Sequence, residues 1–520
     1  MTLRATRWAI VIIGGALVAV AIVAGAGSRT ATLRQLVIDT LAERLDSEVQ
    51  LESFSVDTFP TVHITGTGLV IRLRGRRDIP PLVTVDAFGM DGGLFGLLSR
   101  PRRFRTVSLT GLNINIPPGG LKGASNDHQT SRADDDGPAA IVVDILEAND
   151  AALTLIPKRA GKEAKVFAVH RLTMKPLGRA QTMTFDASIT NPVPKGLVKA
   201  TGTFGPWDRD DPGSTPLNGR YTFDHADLTP IKGIAGTLSS KGTFDGKLGR
   251  IGVKGETDTP DFGLDVSGTR VPLHTSFEAV VDGTDGDTYL NAVSASFLQT
   301  SLTSRGAVVG AEGVKGHTVK VHVKIDKGRI EDLLRLTVKG NDPVMTGALA
   351  LHADLDLPAG PADVMERMHV SGQFNIAGVR FNSKDVETRI SDMSERARGL
   401  DPDEHAQNVA SDLRGDFTLA RNTITLHEAM FGIPGAQVRA AGTYGLRNEA
   451  LQFDGTVRMR ATVSQAAGGA KGILLKVVDP LFRKDGAGAV IPITIHGTRT
   501  APKFGLDMGR VFGKGRNPNP

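Results

Sequence analysis

The sequence predicts a mainly β protein in which a long, curled antiparallel sheet forms a groove. An N-terminal transmembrane helix precedes the sheet, and a few further helices, including a helical hairpin, interrupt it. Apolar and polar residues alternate with a period of two over many segments, as in strands with one buried and one solvated face. Glycine is frequent, at 61 of 520 residues, whereas aromatic residues make up 5%. This combination suits many short strands joined by tight turns.

The alternation is clearest in five segments. Their apolar positions are Leu112, Ile114 and Ile116; Val319, Val321, Val323 and Ile325; Leu349, Leu351, Ala353, Leu355 and Leu357; Leu451, Phe453, Val457 and Met459; and Ile491, Ile493 and Ile495. No long stretch alternates strand patterns with helical ones, which excludes a doubly wound parallel sheet. Gly-Thr recurs inside predicted strands, for example at Gly202, Gly242 and Gly442. Glycine inside a strand marks a bulge or bend, so such repeats would curl the sheet, unless glycine is merely frequent here.

The N-terminal sequence predicts a membrane anchor and, with it, the cellular compartment of the rest of the chain. Residues Trp8 to Ala26 form an uncharged apolar run that is long enough to span a bilayer as a helix. Arg4 and Arg7 precede it, which favours a cytoplasmic N-terminus and places the remainder outside the cytoplasm. A cleaved signal peptide is the alternative, because Ala24-Gly25-Ala26 resembles a cleavage site.

A short helix is predicted next, because Leu33, Leu36, Val37, Leu41 and Leu45 recur at helical spacing. Its apolar stripe would pack on the strands that follow, or it would lie on the membrane surface.

Three later segments break the strand pattern. Residues 119–139 are polar, so we expect a surface loop there. The apolar stripe in the segment from about residue 383 to 413 predicts a helical hairpin, with Asp401 capping its second helix. The dense apolar stretch Lys471–Lys484 suits a membrane-surface or groove-capping segment, with a buried core helix as the alternative. The predicted organisation is therefore an anchor (1–27), an N-terminal region (28–120), a polar linker (121–139), glycine-rich β repeats (140–380), the helical hairpin (381–415), a C-terminal β region (416–506) and a basic tail (507–520).

The composition argues against several classes of activity. There is no cysteine, which excludes disulfides and thiolate sites, and a net charge of +5 is too small to indicate nucleic-acid binding. No nucleophile elbow, dinucleotide-binding fingerprint, P-loop or zinc-protease motif occurs. The run Asp282–Asp287 resembles a calcium loop only loosely, and a turn rich in Asp and Gly explains it better. We therefore predict no catalytic residue, metal site or cofactor.

Two basic clusters follow the predicted anchor closely, namely Arg72 and Arg74, and Arg102, Arg103 and Arg105. They are candidates for contact with anionic lipid head groups near the membrane. Solubilising surface charge is the alternative.

Both ends of the chain resemble a known family. The stretch RLDSEVQLESFSVDTFPTVHITGTGLVIRLRG, with the helix before it and PLVTVDAFGMDGGLFGLLSRPRRFRTVSLTGLNINIPPGG after it, resembles the start of AsmA-family proteins. The stretch ATVSQAAGGAKGILLKVVDPLFRKDGAGAVIPITIHGTRTAPKFGLDM resembles their C-terminal region. The resemblance implies a Gram-negative inner-membrane protein with a periplasmic β-groove, linked to phospholipid transport and outer-membrane biogenesis. It supplies no catalytic residues.

An apolar groove without a covering layer is a natural site for acyl chains, since each buried CH₂ contributes about 0.8 kcal/mol. The predicted lining is Val319, Val321, Val323, Leu451, Phe453, Val457, Ile491, Ile493 and Ile495. A predicted lid, either a fixed cap or a moving gate, presents Val386, Ile390, Met393 and Leu400. The expected partners are phospholipids and the inner membrane, with periplasmic or outer-membrane assembly factors as further candidates. The rival functions are a chaperone that offers edge strands to outer-membrane proteins and, less favoured, a periplasmic glycan hydrolase.

Overall fold

The computed structural model of the protein describes residues 30–45, 47–57, 61–73, 79–93, 102–116, 141–156, 164–177, 181–208, 211–311, 314, 316–340, 342–398, 411–462, 488–498 and 501–506. The predicted anchor, the polar linker, the stretch Lys471–Lys484 and the basic tail lie outside these residues. None of the helices within the described ranges is both long and apolar enough to cross a membrane.

The described residues are mainly β, as predicted, with 26 strands in one mixed sheet and few helices. They divide into two compact units. The first comprises Met1–Ile231, Ala235–Thr259 and Ser276–Thr288, and the second comprises Lys232–Ile234, Pro260–Thr275 and Tyr289–Pro520. The seven segments of the sequence analysis divide the chain more finely, and they stay predictions.

The first unit begins with helix α1 (Thr30–Leu45) and continues as strands. These are β1 (Ser47–Gln50), β2 (Ser53–Asp57), β3 (Val62–Leu73), β4 (Val83–Gly92), β5 (Arg102–Thr110), β6 (Asn113–Ile116), β7 (Ile141–Leu155), β8 (Lys165–Lys175), β9 (Met183–Pro192), β10 (Lys195–Phe204), β11 (Pro216–Asp227) and β13 (Thr237–Lys247). Strands with residues in both units are β12 (Ile234–Ala235), β14 (Arg250–Leu264), β15 (Arg270–Val281) and β16 (Thr288–Phe297).

The strand pairing is mostly antiparallel, but β7 pairs in parallel with β5 and with β6. The prediction of a purely antiparallel sheet is therefore wrong at this point. Parallel neighbours need a connection that returns the chain to the end from which the first strand started. Residues 117–140 separate β6 from β7 in the sequence, which is enough chain for that return.

Helix α1 packs on the strands that follow it, which was one of the two alternatives for this segment. Val37 and Leu41 are buried, at 0% and 1% exposure, in one cluster with side chains of β1 to β7. Leu36, on another side of the helix, is 36% exposed. The amphipathic stripe thus contributes to the core of the first unit.

Glycines leave room for two aromatic rings to meet above the sheet of the first unit. Phe185, Gly202, Gly219 and Phe244 are cross-strand neighbours on β9, β10, β11 and β13. In a flat sheet, three strand spacings would separate the outer two by about 14 Å. The two phenylalanine rings nevertheless stack with centroids 6.5 Å apart. The rings therefore meet above the two glycines, where side chains would obstruct them.

We expect Gly219→Ala to destabilise the protein by about 1–3 kcal/mol, because the new methyl group has no room. A Cβ at this position would lie 2.4 Å from the Thr201 carbonyl oxygen and 2.7 Å from Cζ of Phe244. Gly252→Ala is the matched control in the same unit, since its nearest contacts would be at 3.5 Å. Urea unfolding measures both. Equal stabilities of the two variants would contradict the conclusion that a side chain has no room at Gly219.

The second unit is a run of antiparallel strands with three short helices inserted between them. The strands are β17 (Thr300–Gly310), β18 (His317–Arg329), β19 (Met345–Leu357), β20 (His369–Phe381), β21 (Asp412–Ala420), β22 (Thr423–Ile433), β23 (Ala436–Gly445), β24 (Ala450–Met459), β25 (Ala489–Thr498) and β26 (Ala501–Leu506). The helices are α2 (Ile330–Thr337), α3 (Val364–Arg367) and α4 (Lys384–Arg398).

Helix α4 is the first helix of the predicted hairpin. The second helix, which begins at Asp401 in the prediction, lies outside the described residues, as does Leu400. The end of the hairpin was predicted too far along the chain, because β21 already begins at Asp412. Residues 412–415 pair with β22 and form strand rather than helix.

Candidate functional site: an apolar face in the second unit

One face of the second unit carries unbroken rows of apolar residues that run across the strands. Directly paired residues of neighbouring strands lie on the same face of a sheet. From β18 to β25, one row consists of Val323, Ala353, Gly372, Phe417, Leu426, Gly442, Phe453 and Ile495. The next row consists of Val321, Leu355, Val370, Leu419, Ile424, Tyr444 and Leu451. We call this side of β18 to β25 the apolar face.

The nine predicted lining residues all belong to the apolar face. Val319 lies two residues before Val321 on β18. Val457 pairs with Ile491 and lies four residues after Phe453 on an uninterrupted stretch of β24. Ile491 and Ile493 precede Ile495 on β25 at intervals of two. The register therefore brings the nine together on one side, while their contact with lipid stays a prediction.

Neighbouring strands approach each other closely at the glycines of the apolar face. A Cβ built on Gly442 would lie 2.1 Å from the carbonyl oxygen of Gln452 and 2.6 Å from Cα of Phe453. At Gly372, the same construction gives 2.4 Å to the His352 carbonyl oxygen and 3.1 Å to Cα of Ala353. A side chain therefore has no room at either glycine.

Helix α4 covers part of the apolar face. Ile390 and Met393 of the predicted lid pack on a cluster that includes Val457, with Ile491 and Ile493 against it. Two hydrogen bonds attach the C-terminal half of the helix: Ser394 Oγ donates to the Pro434 carbonyl (2.8 Å), and the Ala461 N–H donates to the Ala397 carbonyl (2.9 Å). Val386, in contrast, is 37% exposed.

Helix α2 covers a neighbouring part of the same face. Ile330 is buried with Ile325, Leu349 and Ile376, and Leu333 and Leu334 pack against this cluster. The sequence analysis missed α2, although the apolar spacing of Ile330, Leu333 and Leu334, with acidic residues in the first turn, is a helical signal. The short length of the segment hid that signal within a region of strands.

One buried and one partly buried carboxylate hold α2 in position. Asp332, which is 3% exposed, accepts hydrogen bonds from the Gln299 N–H and from Thr300 Oγ1, both at 2.9 Å. Glu331 accepts from Arg329 Nε (2.7 Å) and from the Gly347 N–H (3.1 Å). Partial burial raises the pKa of Glu331, but hydrogen bonds from its own backbone, Arg329 and Gly347 outweigh burial and leave it below its usual value. The ionised form therefore stabilises the attachment of α2.

The two helices divide the apolar face into a covered half and an open half. The covered half contains three of the nine predicted lining residues, namely Val457, Ile491 and Ile493. The other six lie in the open half, where every side chain is half-buried: Val319, Val321, Val323, Leu451, Phe453 and Ile495. The open half ends at the β21–β22 and β23–β24 turns, whereas α4 lies toward the opposite strand ends.

The reverse side of the same strands is polar. Lys320 and Asp356 form an exposed cross-strand pair at 3.8 Å, and His322 contacts Asp354 on the same strands. A cavity of about 890 Å³ crosses this side and is lined by His322, His352, Asp354, Asp416 and His427 among others. No group of three or more His, Asp or Glu side chains among the described residues could hold a metal ion.

The structure describes part of each of the two predicted basic clusters, and it places them far apart. Arg72 lies near the end of β3 that pairs with the start of β4, and its Nη1 donates to the Ile79 carbonyl (3.0 Å). Arg103 and the exposed Arg105 lie on β5 beyond the other end of β4, roughly 33–40 Å away along the strand. Arg103 Nε pairs with Asp144 at 2.7 Å. Arg74 and the side chain of Arg102 lie outside the described structure.

The loop Asp282–Asp287 joins β15 to β16. Asp282 Oδ1 accepts from the N–H and the hydroxyl of Thr284 (2.7 and 2.6 Å), and the Asp282 N–H donates to the Asp287 carbonyl (2.8 Å). These local bonds are typical of an Asx-type turn.

Comparison with known proteins gives no match: no protein-family model matches the sequence, and no curated protein or solved structure is significantly similar to it.

We expect Glu331→Gln to lower the free energy of unfolding by about 1–2 kcal/mol at pH 7, because it weakens charge-assisted hydrogen bonds. The folded-state pKa of Glu331 is lowered, so its contribution is complete above the unfolded-state pKa and disappears as the pH falls through the folded-state value. Urea unfolding of wild type and variant should therefore converge in acid. The exposed Glu428→Gln is the control, and a difference independent of pH would contradict the assignment.

We expect Met393→Asp to destabilise the protein by about 2–4 kcal/mol, because a carboxylate would replace an apolar contact against the covered half. Thr388→Asp places the same charge on an exposed position of α4 and should change thermal unfolding little. A fixed cap predicts loss of stability together with faster lipid exchange, whereas a gate predicts faster exchange alone. If neither quantity changes, α4 does not pack on the apolar face.

Proposed function

We propose that this protein binds the acyl chains of phospholipids on the open half of the apolar face and moves lipid as a membrane-anchored periplasmic protein. The single observation that carries the proposal is the pair of unbroken apolar rows, from Val321 to Leu451 and from Val323 to Ile495. Their side chains are half-buried, so a hydrocarbon chain lying across the strands would remove more apolar surface from water.

The dimensions and chemistry of the open half fit a long hydrocarbon chain. Eight strands at a spacing of about 4.8 Å give a track of roughly 34 Å, longer than one extended sixteen-carbon chain. Apart from the Tyr444 hydroxyl, the side chains of the two rows are apolar. Such a lining selects for hydrophobicity and length rather than for a polar pattern.

The location in the cell is part of the same proposal. It is supported by the apolar run Trp8–Ala26 with its preceding arginines, and by the resemblance of both chain ends to the AsmA family. With these, the protein would be an inner-membrane protein that contributes to phospholipid transport and outer-membrane biogenesis.

The alternative of a chaperone for outer-membrane proteins finds less support in the described strands. A chaperone that works by strand addition needs an accessible sheet edge. Strand β26 pairs with β25, and it carries Pro502 and Lys503, which are exposed. Proline and lysine on an edge strand disfavour pairing with a further strand.

Site-specific photo-crosslinking tests the proposal. We expect crosslinkers at Val321 and Phe453, on the open half, to capture phospholipid in a membrane extract. Crosslinkers at Lys320 and Gln452, one residue away on the polar side, are matched controls and should capture none. Equal capture on both sides, detected by mass spectrometry, would contradict the proposal.

A further inference from the structure

We propose that Arg421 and Arg447 bind the phosphate of the phospholipid head group at the rim of the open half, and that Glu366 competes with that phosphate for Arg447. This inference rests on the proposed acyl-chain site and adds to it a head-group site.

The orientation of a bound amphiphile follows from the position of the helices. Helix α4 packs beside Ile433 and Ala436, at the strand ends where β22 turns into β23. A charged head group must remain in contact with water or with charged partners. It would therefore lie at the opposite strand ends, beside the turns that follow β21 and β23. We call these two turns the open rim.

Two arginines belong to the neighbouring turns of the open rim. Arg421 is in the β21–β22 turn and Arg447 is in the β23–β24 turn, and both are exposed. The Leu446 N–H donates to the Asn422 carbonyl at 2.8 Å, which holds the two turns together. One of the two apolar rows runs alongside these turns, because its members Leu419, Ile424 and Tyr444 border them. Guanidinium groups bind phosphate oxygens through paired, charge-assisted hydrogen bonds.

Arg447 already has a weak anionic partner. Its Nη2 lies 3.9 Å from Oε1 of Glu366, and the two side chains are 67% and 52% exposed. That distance is well beyond the 2.7–2.9 Å of a charge-assisted hydrogen bond, and exposed pairs of this kind contribute little. A phosphate that approaches along the rim could therefore displace Glu366 at small cost.

The competing carboxylate is held in place by local structure. Glu366 belongs to the single turn of helix α3, which Asp363 caps by accepting from the Met365 N–H at 2.9 Å. Arg367 Nε donates to the Ala362 carbonyl at 3.0 Å in the same segment. Glu366 on helix α3 precedes β20, whereas Arg447 follows β23. The ion pair between these two side chains therefore spans the ends of the intervening strands β21 and β22. The pair thus lies across the path by which a head group would reach Arg447.

Lipid binding by point variants of the full chain in a neutral detergent tests this inference. The probe is a fluorescent phosphatidylglycerol, and a fluorescent diacylglycerol with the same tails reports on the acyl site alone. We expect Arg447→Gln and Arg421→Gln to weaken phosphatidylglycerol binding about two- to fivefold. We expect Glu366→Gln to strengthen it by a similar factor, and none of the three to change diacylglycerol binding. Arg439→Gln, on the polar side of β23, is the matched control.

Arg447→Gln should weaken phosphatidylglycerol binding and Glu366→Gln should strengthen it, whereas a general loss of stability would weaken binding in both variants. The unfolding midpoints of the variants should stay at the wild-type value. Weaker or unchanged phosphatidylglycerol binding by Glu366→Gln overturns the competition. If both lipids bind equally well to every variant, the head-group site is wrong while the acyl site stands. If neither lipid binds the wild type, the proposed function fails. If inorganic phosphate displaces phosphatidylglycerol at equal concentration, the arginines bind free phosphate and the head-group assignment is wrong.

Discussion

The close approach of strands at glycines on the apolar side is the constraint on which the rest of this structure depends. At Gly219 in the first unit and Gly442 in the second, the neighbouring carbonyl oxygen occupies the space that a Cβ would need. The absence of a side chain leaves space in which aromatic rings such as Phe185 and Phe244 meet above the glycines. A residue that favours strands would fit the alternation equally well, yet its Cβ would clash with the neighbouring strand.

The two sides of the second unit are held by different interactions. On the polar side, cross-strand pairs such as Lys320 with Asp356 are exposed, and pairs of this kind contribute little to stability. On the apolar side, helices α2 and α4 bury one half of the surface in clusters around Ile325 and Val457. Stability therefore concentrates in the covered half. The open half can keep half-buried apolar side chains because the fold does not depend on covering them.

This division separates structural residues from candidate functional ones within a single pattern. Val457 and Ile491 follow the same alternation as Phe453 and Ile495 on the same two strands. Only the first pair lies beneath a helix. The proposed lipid site and its head-group rim follow from that difference, since the helices leave one set of strand ends for a polar group to occupy.

The sequence by itself determined that the chain is mainly β, the apolar side of the strands in five alternating segments, and helices α1 and α4, because these depend on local periodicity. Ile114, Val321 and Phe453 could each be assigned to a face by the spacing of their neighbours alone. Tertiary structure decided the rest. Which strands pair, and that β7 pairs in parallel with β5, depends on contacts between residues far apart in the chain. The separation of Arg72 from Arg103, the position of α2, and the proximity of Arg447 to Glu366 have the same origin. Periodicity assigns a residue to a face, but only the register between strands determines which other residues share its surroundings.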